Sequence, residues 1–211
     1  MTKDQNPSVN TNTRAEIRRA IRNKRKALSA DQGLLSAQAI LNCLISQSWF
    51  LTCKRIGLYL ANDGEIDLAP VIDKCRDQKI AISLPVIDTT QPTMHFADWR
   101  DGQSLVDNKF GIAEPKQGQA VPLSEHDLIL VPLVAFDSNG NRIGMGGGYY
   151  DRLFQTDEAN LSKSPLRVGV AFQFQQLESI KAQVWDKALD GIITEADITA
   201  ASARLKALTE E

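Results

Sequence analysis

Three cysteines and two histidines in 211 residues leave little room for several kinds of chemistry. Cys43, Cys53 and Cys75 are odd in number and lack the short paired spacing of a zinc site, so they read as free thiols. His95 and His126 stand far apart with no third ligand in register, which leaves no histidine-built metal centre. No apolar run approaches the roughly 20 residues that a bilayer span needs, and the amino end is polar rather than a charged-then-apolar leader. A basic excess is missing as well. The 24 Lys and Arg are outnumbered by 26 Asp and Glu, for a net charge of −2. General nucleic-acid binding leans on surplus cations to neutralise phosphates, so it is not expected here. These absences predict a cytoplasmic protein with neither nucleic acid nor membrane as partner; a monomer is expected, although nothing in the sequence sets the oligomeric state.

What the chain does have is concentrated in one stretch. Leu128 to Val134 is an apolar run that reads as a buried strand, and it delivers Phe136-Asp137-Ser138-Asn139-Gly140-Asn141-Arg142-Ile143-Gly144-Met145-Gly146-Gly147-Gly148-Tyr149-Tyr150-Asp151-Arg152. Four glycines in the five positions 144–148 make poor packing residues, because glycine loses the most conformational entropy on folding. They make sense where backbone must take positive φ or lie against an anion, its N–H groups converging on phosphate oxygens with a helix start behind them. Arg142 adds a charged fork suited to phosphate. The loop is not a Walker sequence, since Tyr149 follows Gly148, and Tyr149 also stands where a dinucleotide fingerprint needs its third glycine. Asp137, Asn139 and Asn141 alternate like a calcium loop, but Arg142 occupies the position reserved there for glycine and no glutamate closes the loop. A glycine-rich hairpin without a ligand is the plain alternative.

Along the rest of the chain, residues 1–12 hold almost nothing apolar and read as a disordered tail. Thr13-Arg14-Ala15-Glu16 is a capping box, and the helix it opens runs to about Leu28. Ile17, Ile21 and Leu28 form its apolar stripe, bordered by a row of Arg14, Arg18, Arg22 and Arg25. Arginines along the edge of a core face can curl into a cleft; the plain alternative is a solvated basic face. Ser29-Ala30-Asp31-Gln32 caps a second helix to about Ser48, with Leu34, Leu35, Ala37, Leu41, Leu44 and Ile45 expected toward the core. Strands are expected at Lys54 to Leu60, Lys79 to Pro85, Thr93 to Trp99 and Arg167 to Phe172. Asp67 is expected to cap a helix from Leu68 to Gln78. Glu65 leaves the first strand at its carboxyl end, where ligands gather in open α/β sheets, although a loop glutamate is ordinarily just solvated. Strands alternating with helices argue for an α/β sandwich with a mainly parallel central sheet.

Taken whole, Asn139 to Arg152 resembles the signature of the 5-formyltetrahydrofolate cyclo-ligase family, and the likeness extends from about Arg14 to about Asp197. The resemblance implies a three-layer Rossmann-like fold in one domain, residues 13–198, with 199–211 as a polar, partly helical tail. It implies ATP-dependent closure of 5-formyltetrahydrofolate to 5,10-methenyltetrahydrofolate. Cyclo-ligases open with a basic helix whose Lys and Arg, four residues apart, contact ATP; Arg14 and Arg18 fall there, with arginine in place of the lysine. ATP is further expected on Arg142, Ile143, Gly144, Met145, Gly146, Gly147, Gly148, Tyr149 and Tyr150. The folate is expected on Leu60, Glu65, Met145, Gly148 and Tyr149, with Glu65 accepting hydrogen bonds from pterin N–H groups. Magnesium is expected on Asp151 and on Asp190, the latter in Asp186-Lys187-Ala188-Leu189-Asp190 where the family commonly has Asp-x-Pro-Leu-Asp. Arg142 and Tyr150 are the expected catalytic residues. Gly111-Ile112-Ala113-Glu114-Pro115 reads as a loop, resembles the family's stretch just before its signature strand and is assigned no chemistry. A non-catalytic nucleotide- or folate-binding module and a sugar-phosphate isomerase or sensor are the readings from other classes.

Overall fold

The computed structural model describes residues 13–155 and 164–210, so the expected tail at residues 1–12 lies outside the described residues. Six α-helices occur among them, α1 Arg14–Lys26, α2 Ala30–Ile45, α3 Ser48–Leu51, α4 Ala69–Asp77, α5 Tyr149–Gln155 and α6 Ala203–Thr209. The strands are β1 Arg55–Gly57, β2 Ala81–Ile87, β3 Met94–Trp99, β4 Leu105–Asp107, β5 Ala113–Pro115 and β6 Ala120–Val121, then β7 Leu128–Pro132, β8 Ala135–Phe136, β9 Arg142–Ile143, β10 Leu166–Val170, β11 Gly191–Ile193 and β12 Ile198–Ala200.

Eight strands form one sheet in the order β12-β11-β10-β7-β1-β2-β3-β6. The five from β11 to β2 are mutually parallel; β12 and β3 pair antiparallel with the two ends of this set, and β6 pairs antiparallel with β3. The chain winds from β1 outward to β2, and later from β7 outward through β10 to β11. The neighbours β1 and β7 therefore flank the point where the winding direction reverses, and loops leaving their carboxyl ends part to leave a crevice.

Side chains along β7 alternate between two cores. Leu128 and Leu130 join α2, α3, α4 and α6 on one face through Ile40, Leu44, Phe50, Val71, Cys75 and Leu205. Ile129 and Val131 join Phe136, Phe154 and Leu189 on the other. Helices on one side and α5 with the β8–β9 hairpin on the other make the three layers that parallel strands require to be buried on both faces. Burial pushes the Cys53 and Cys75 thiols up to about 12, as fits inert core sulfurs.

Both N-terminal capping boxes form as read, on Thr13 with Glu16 and on Ser29 with Gln32. Four details differ from expectation. Leu34 and Leu35 are 66% and 72% exposed; the buried stripe of α2 is Ala37, Ile40 and Leu44, a spacing that leaves the first turn facing water. Asp67 caps one residue early: its carboxylate accepts from Ala69 N at 2.9 Å while Leu68 is the boundary residue. The segment Gly111 to Pro115 is not a plain loop, since β5 pairs with β4. Finally, residues 199–211 are not a peripheral tail as far as they are described. β12 closes the sheet edge against β11, and α6 docks through fully buried Leu205 with Leu208, three positions on, packed against the same core.

Candidate active site

The crevice between β1 and β7 is walled by two loops and roofed by one helix. On the β1 side, the Tyr59 hydroxyl donates to Ile66 O at 2.9 Å and holds the loop between them closed. Within it, Asp63 and Gly64 take positive φ of 50° and 73°, and Glu65 turns back so that its carboxylate accepts from Asn62 N at 3.1 Å. Burial pushes Glu65 up to about 7, against the pull of the Asn62 N–H and the nearby Arg25. A carboxylate so poised accepts hydrogen bonds when ionised and still releases its proton near neutrality. Leu60, where this loop begins, is half-buried and packs against the main core.

On the β7 side, Val134 leads into the β8–β9 hairpin. Asp137 is the keystone of that turn, not a cation ligand. It is 1% exposed, and its two oxygens accept from Asn139 N, Asn141 N, Asn141 Nδ2 and Ile180 N at 2.9–3.0 Å. The glycine run follows β9. Gly146 and Gly148 have φ of 106° and 66°, where L side chains are strained, and a Cβ on Gly147 would stand 2.7 Å from the Tyr149 ring. Gly144 has open space around it. Glycine is thus required by conformation or contact at three of the four positions, and the stretch lies open: Met145, Gly146 and Gly147 are exposed.

Helix α1 lays its arginine row over both loops. Arg14 pairs with Asp186 at 2.5 Å and donates to Lys181 O. Arg18 Nε donates to Gly144 O at 2.8 Å, its guanidinium lying 3.6 Å from where a Gly146 Cβ would be. Arg22, Arg25 and Lys26 all converge on Asp63. The edge row read from the sequence therefore faces the cleft and is not a solvated surface.

Arg142 is 7% exposed, pairs with Asp151 at 2.7 Å and donates to Lys187 O. Burial pulls its pKa below the usual arginine range while Asp151 and Asp186 oppose the shift. Asp151 also accepts from Lys187 N at 3.2 Å. The hydroxyl of Tyr150 is buried and has no hydrogen-bond partner; burial raises its pKa, the charge of Glu65 adds to the rise and that of Arg142 opposes it. Tyr149 points elsewhere, edge-on to Phe110 at 6.1 Å with the Arg152 guanidinium 5.3 Å from its ring centre. The two adjacent tyrosines have different surroundings, as their 100° separation on a helix requires.

The two expected metal carboxylates part company. Asp190 stands at the amino end of β11, its Oδ2 accepting from Arg167 N at 2.9 Å and its carbonyl accepting from Ala201 N and Ser202 N. It pins β10, β11 and the start of α6 together and shares no contact with Asp151. The acid that shares the Arg142 environment is Asp186, four residues earlier. Burial raises the pKa of Asp186, but Arg14, the Gln183 N–H and Arg142 more than offset it and hold the group below its ordinary value. Asp186 and Asp190 both fit the closing pattern, and only the register of β11 separates their surroundings. Among the described residues no group of three acidic, His or Cys side chains could hold a metal by itself. One or two carboxylates are nonetheless what a magnesium ion uses when nucleotide phosphates and water complete its shell.

The family described as the 5-formyltetrahydrofolate cyclo-ligase family matches residues 10–195. A 5-formyltetrahydrofolate cyclo-ligase of Haemophilus influenzae is 37% identical over 188 residues, covering 88% of this chain and 99% of that protein. The Escherichia coli K12 protein of the same name is 31% identical over 181 residues, covering 84% and 98%. Among solved structures, an NMR structure of Aquifex aeolicus 5,10-methenyltetrahydrofolate synthetase superposes with TM-score 0.74 at 32% identity, covering 89% of this chain and 92% of that one. A 5,10-methenyltetrahydrofolate synthetase from Mycoplasma pneumoniae shares the fold, with TM-score 0.70 at 24% identity and coverage of 87% and 99%.

Proposed function

Because this chain belongs to the 5-formyltetrahydrofolate cyclo-ligase family, we propose that it closes 5-formyltetrahydrofolate to 5,10-methenyltetrahydrofolate with ATP, releasing ADP and phosphate. The observation that carries the reading is the placing of two unlike walls on adjacent parallel strands. A half-buried carboxylate, Glu65, leaves β1 and a glycine loop with Arg142 leaves β7, and the partnerless Tyr150 hydroxyl senses both.

An amide oxygen is a poor leaving group. The formyl oxygen attacks the γ-phosphorus, the bond to ADP breaks, and the oxygen becomes part of a phosphate ester. N10 of the same molecule then attacks the formyl carbon and loses its proton, and phosphate departs with the C–O electron pair. Nucleophile and electrophile both belong to the ligands, so the chain contributes position and charge. Ionised Glu65 accepts from the pterin N–H groups and Leu60 packs beside the ring. Amides of the Gly144 to Gly148 loop, with Arg14, Arg18 and Arg142, hold phosphate oxygens and stabilise the charge that builds on them. Tyr150, a neutral donor, sits where the formyl oxygen and the γ-phosphate would meet and orients the transfer. Magnesium, held by Asp151 with Asp186, would neutralise phosphate charge when bound.

Conversion of 5-formyltetrahydrofolate to the methenyl form, followed by absorbance with and without Mg-ATP, tests the reading. Asp186→Asn should weaken Mg-ATP binding about tenfold or more, whereas Asp190→Asn should keep that affinity and lose stability. The reverse pattern would return the metal to Asp190.

A further inference from the structure

Three cations of one helix share a single carboxylate at the folate wall. Arg22 donates to both Asp63 oxygens, at 2.5 and 3.1 Å. Arg25 reaches Oδ2 at 3.0 Å and Lys26 reaches Oδ1 at 3.2 Å. The Asp63 carboxyl is held well below the usual carboxylate range, chiefly by the Arg22 hydrogen bond. Arg25 is the unusual member: its side chain is 1% exposed, its second nitrogen donates to Leu133 O at 3.4 Å, and its Nε has no partner. A buried guanidinium with an unsatisfied nitrogen is a poor stabiliser, and an aliphatic side chain of similar volume would serve packing as well. Its reach is what an aliphatic chain lacks. Leu133 follows β7 and Asp63 follows β1, so one guanidinium bridges the carboxyl ends of both strands that flank the crevice.

The clamped residue also stands in an uncommon conformation. Asp63 has φ +50°, in the left-handed region that Asp enters more readily than most L residues when its side chain is hydrogen-bonded. Gly64, at φ +73°, lies so close to α1 that an added Cβ would meet Arg25 Cβ at 3.2 Å. Glu65 follows directly, leaning on Asn62 N. Resting on the assignment of Glu65 to the folate, we infer that Asp63 is a positioning residue for that substrate: clamped by Arg22, Arg25 and Lys26, it fixes the turn that aims the Glu65 carboxylate into the cleft.

The test is a double-mutant cycle on binding, since a residue acting through Glu65 loses its effect once Glu65 is disabled. The affinities of 5-formyltetrahydrofolate and of Mg-ATP are measured by calorimetry for the native chain, Asp63→Asn, Glu65→Gln and the double variant. Asp63→Asn should weaken folate about tenfold, or about 1.4 kcal/mol, in the native background and less than twofold in the Glu65→Gln background. Mg-ATP affinity should stay within twofold throughout. Arg22→Gln, a milder change at a half-exposed position, should give a loss of about two- to threefold with the same dependence on Glu65, and carries the test if Asp63→Asn does not fold. Equal losses in both backgrounds, a parallel fall in Mg-ATP affinity, or no folate effect would overturn the clamp. If the native chain binds no 5-formyltetrahydrofolate, the functional reading and the clamp fall together; binding with an additive cycle sinks the clamp alone.

Discussion

Replacing Glu65 by glutamine should make the protein more stable at about pH 8 and leave its stability unchanged at about pH 4. The ordinary glutamate value is 4.5, and burial raises Glu65 to about 7. Between those values the folded chain keeps a proton that the unfolded chain has released, so stability falls as pH rises across the window and the penalty is complete above it. At about 1.4 kcal/mol per pH unit the whole rise is worth roughly 3 kcal/mol. Water reaching the half-buried carboxylate trims that to about 2 kcal/mol. Glutamine keeps the shape and an acceptor for Asn62 N–H while removing the charge. Urea unfolding of both chains across this range, compared at each pH so that other titrating groups cancel, reads the difference directly. The same ionisation should show in binding: 5-formyltetrahydrofolate affinity should rise with pH through about 7 in the native chain and stay flat in the variant. A stability difference that is constant with pH, or a native chain that is the more stable one at about pH 8, would refute the burial argument and with it the picture of Glu65 as a poised acceptor.

The glycine loop should respond to alanine according to position. Gly144→Ala, entering open space, should leave Mg-ATP affinity within about twofold, while Gly148→Ala, at φ +66° with its Cβ 2.8 Å from Arg152 Nη1, carries about 1–2 kcal/mol of strain and should weaken Mg-ATP roughly tenfold by calorimetry. Equal effects at the two sites would mean that the loop conformation is not what binds. Leu205→Ala should destabilise by about 2–5 kcal/mol in urea unfolding, because Leu205 is fully buried; an unchanged midpoint would make α6 a dispensable appendage.

How much of this could be read in the chain varies from residue to residue. The capping boxes, the apolar run of β7 and the glycine cluster are local signals, set by three to five neighbouring residues, and they keep their meaning in the folded protein. The arginine row of α1 was legible as an edge row, but which partner each arginine takes was not. Arg14 meets Asp186 across 172 positions of sequence and Arg25 meets Asp63 across 38, and nothing local encodes such pairings. Asp190 and Asp186 show the same limit at short range, since both suit the closing pattern and only strand register sends one to the amino end of the sheet. Leu34 and Leu35 looked like core by hydrophobicity, but only the rotation of α2 against the sheet decides which leucines are covered.

The amino-acid order alone determined the α/β class, the phosphate-suited glycine loop and the kinship carried by residues 139–152, because each rests on backbone preference or on a contiguous motif. Tertiary structure decided that β1 and β7 lie side by side, so that the charges of both Glu65 and Arg142 act on the buried Tyr150 hydroxyl. It also decided that Asp63 anchors three cations. Strand order and ion pairing are settled by burial and charge acting over the whole folded chain, where distance in space no longer follows distance in sequence.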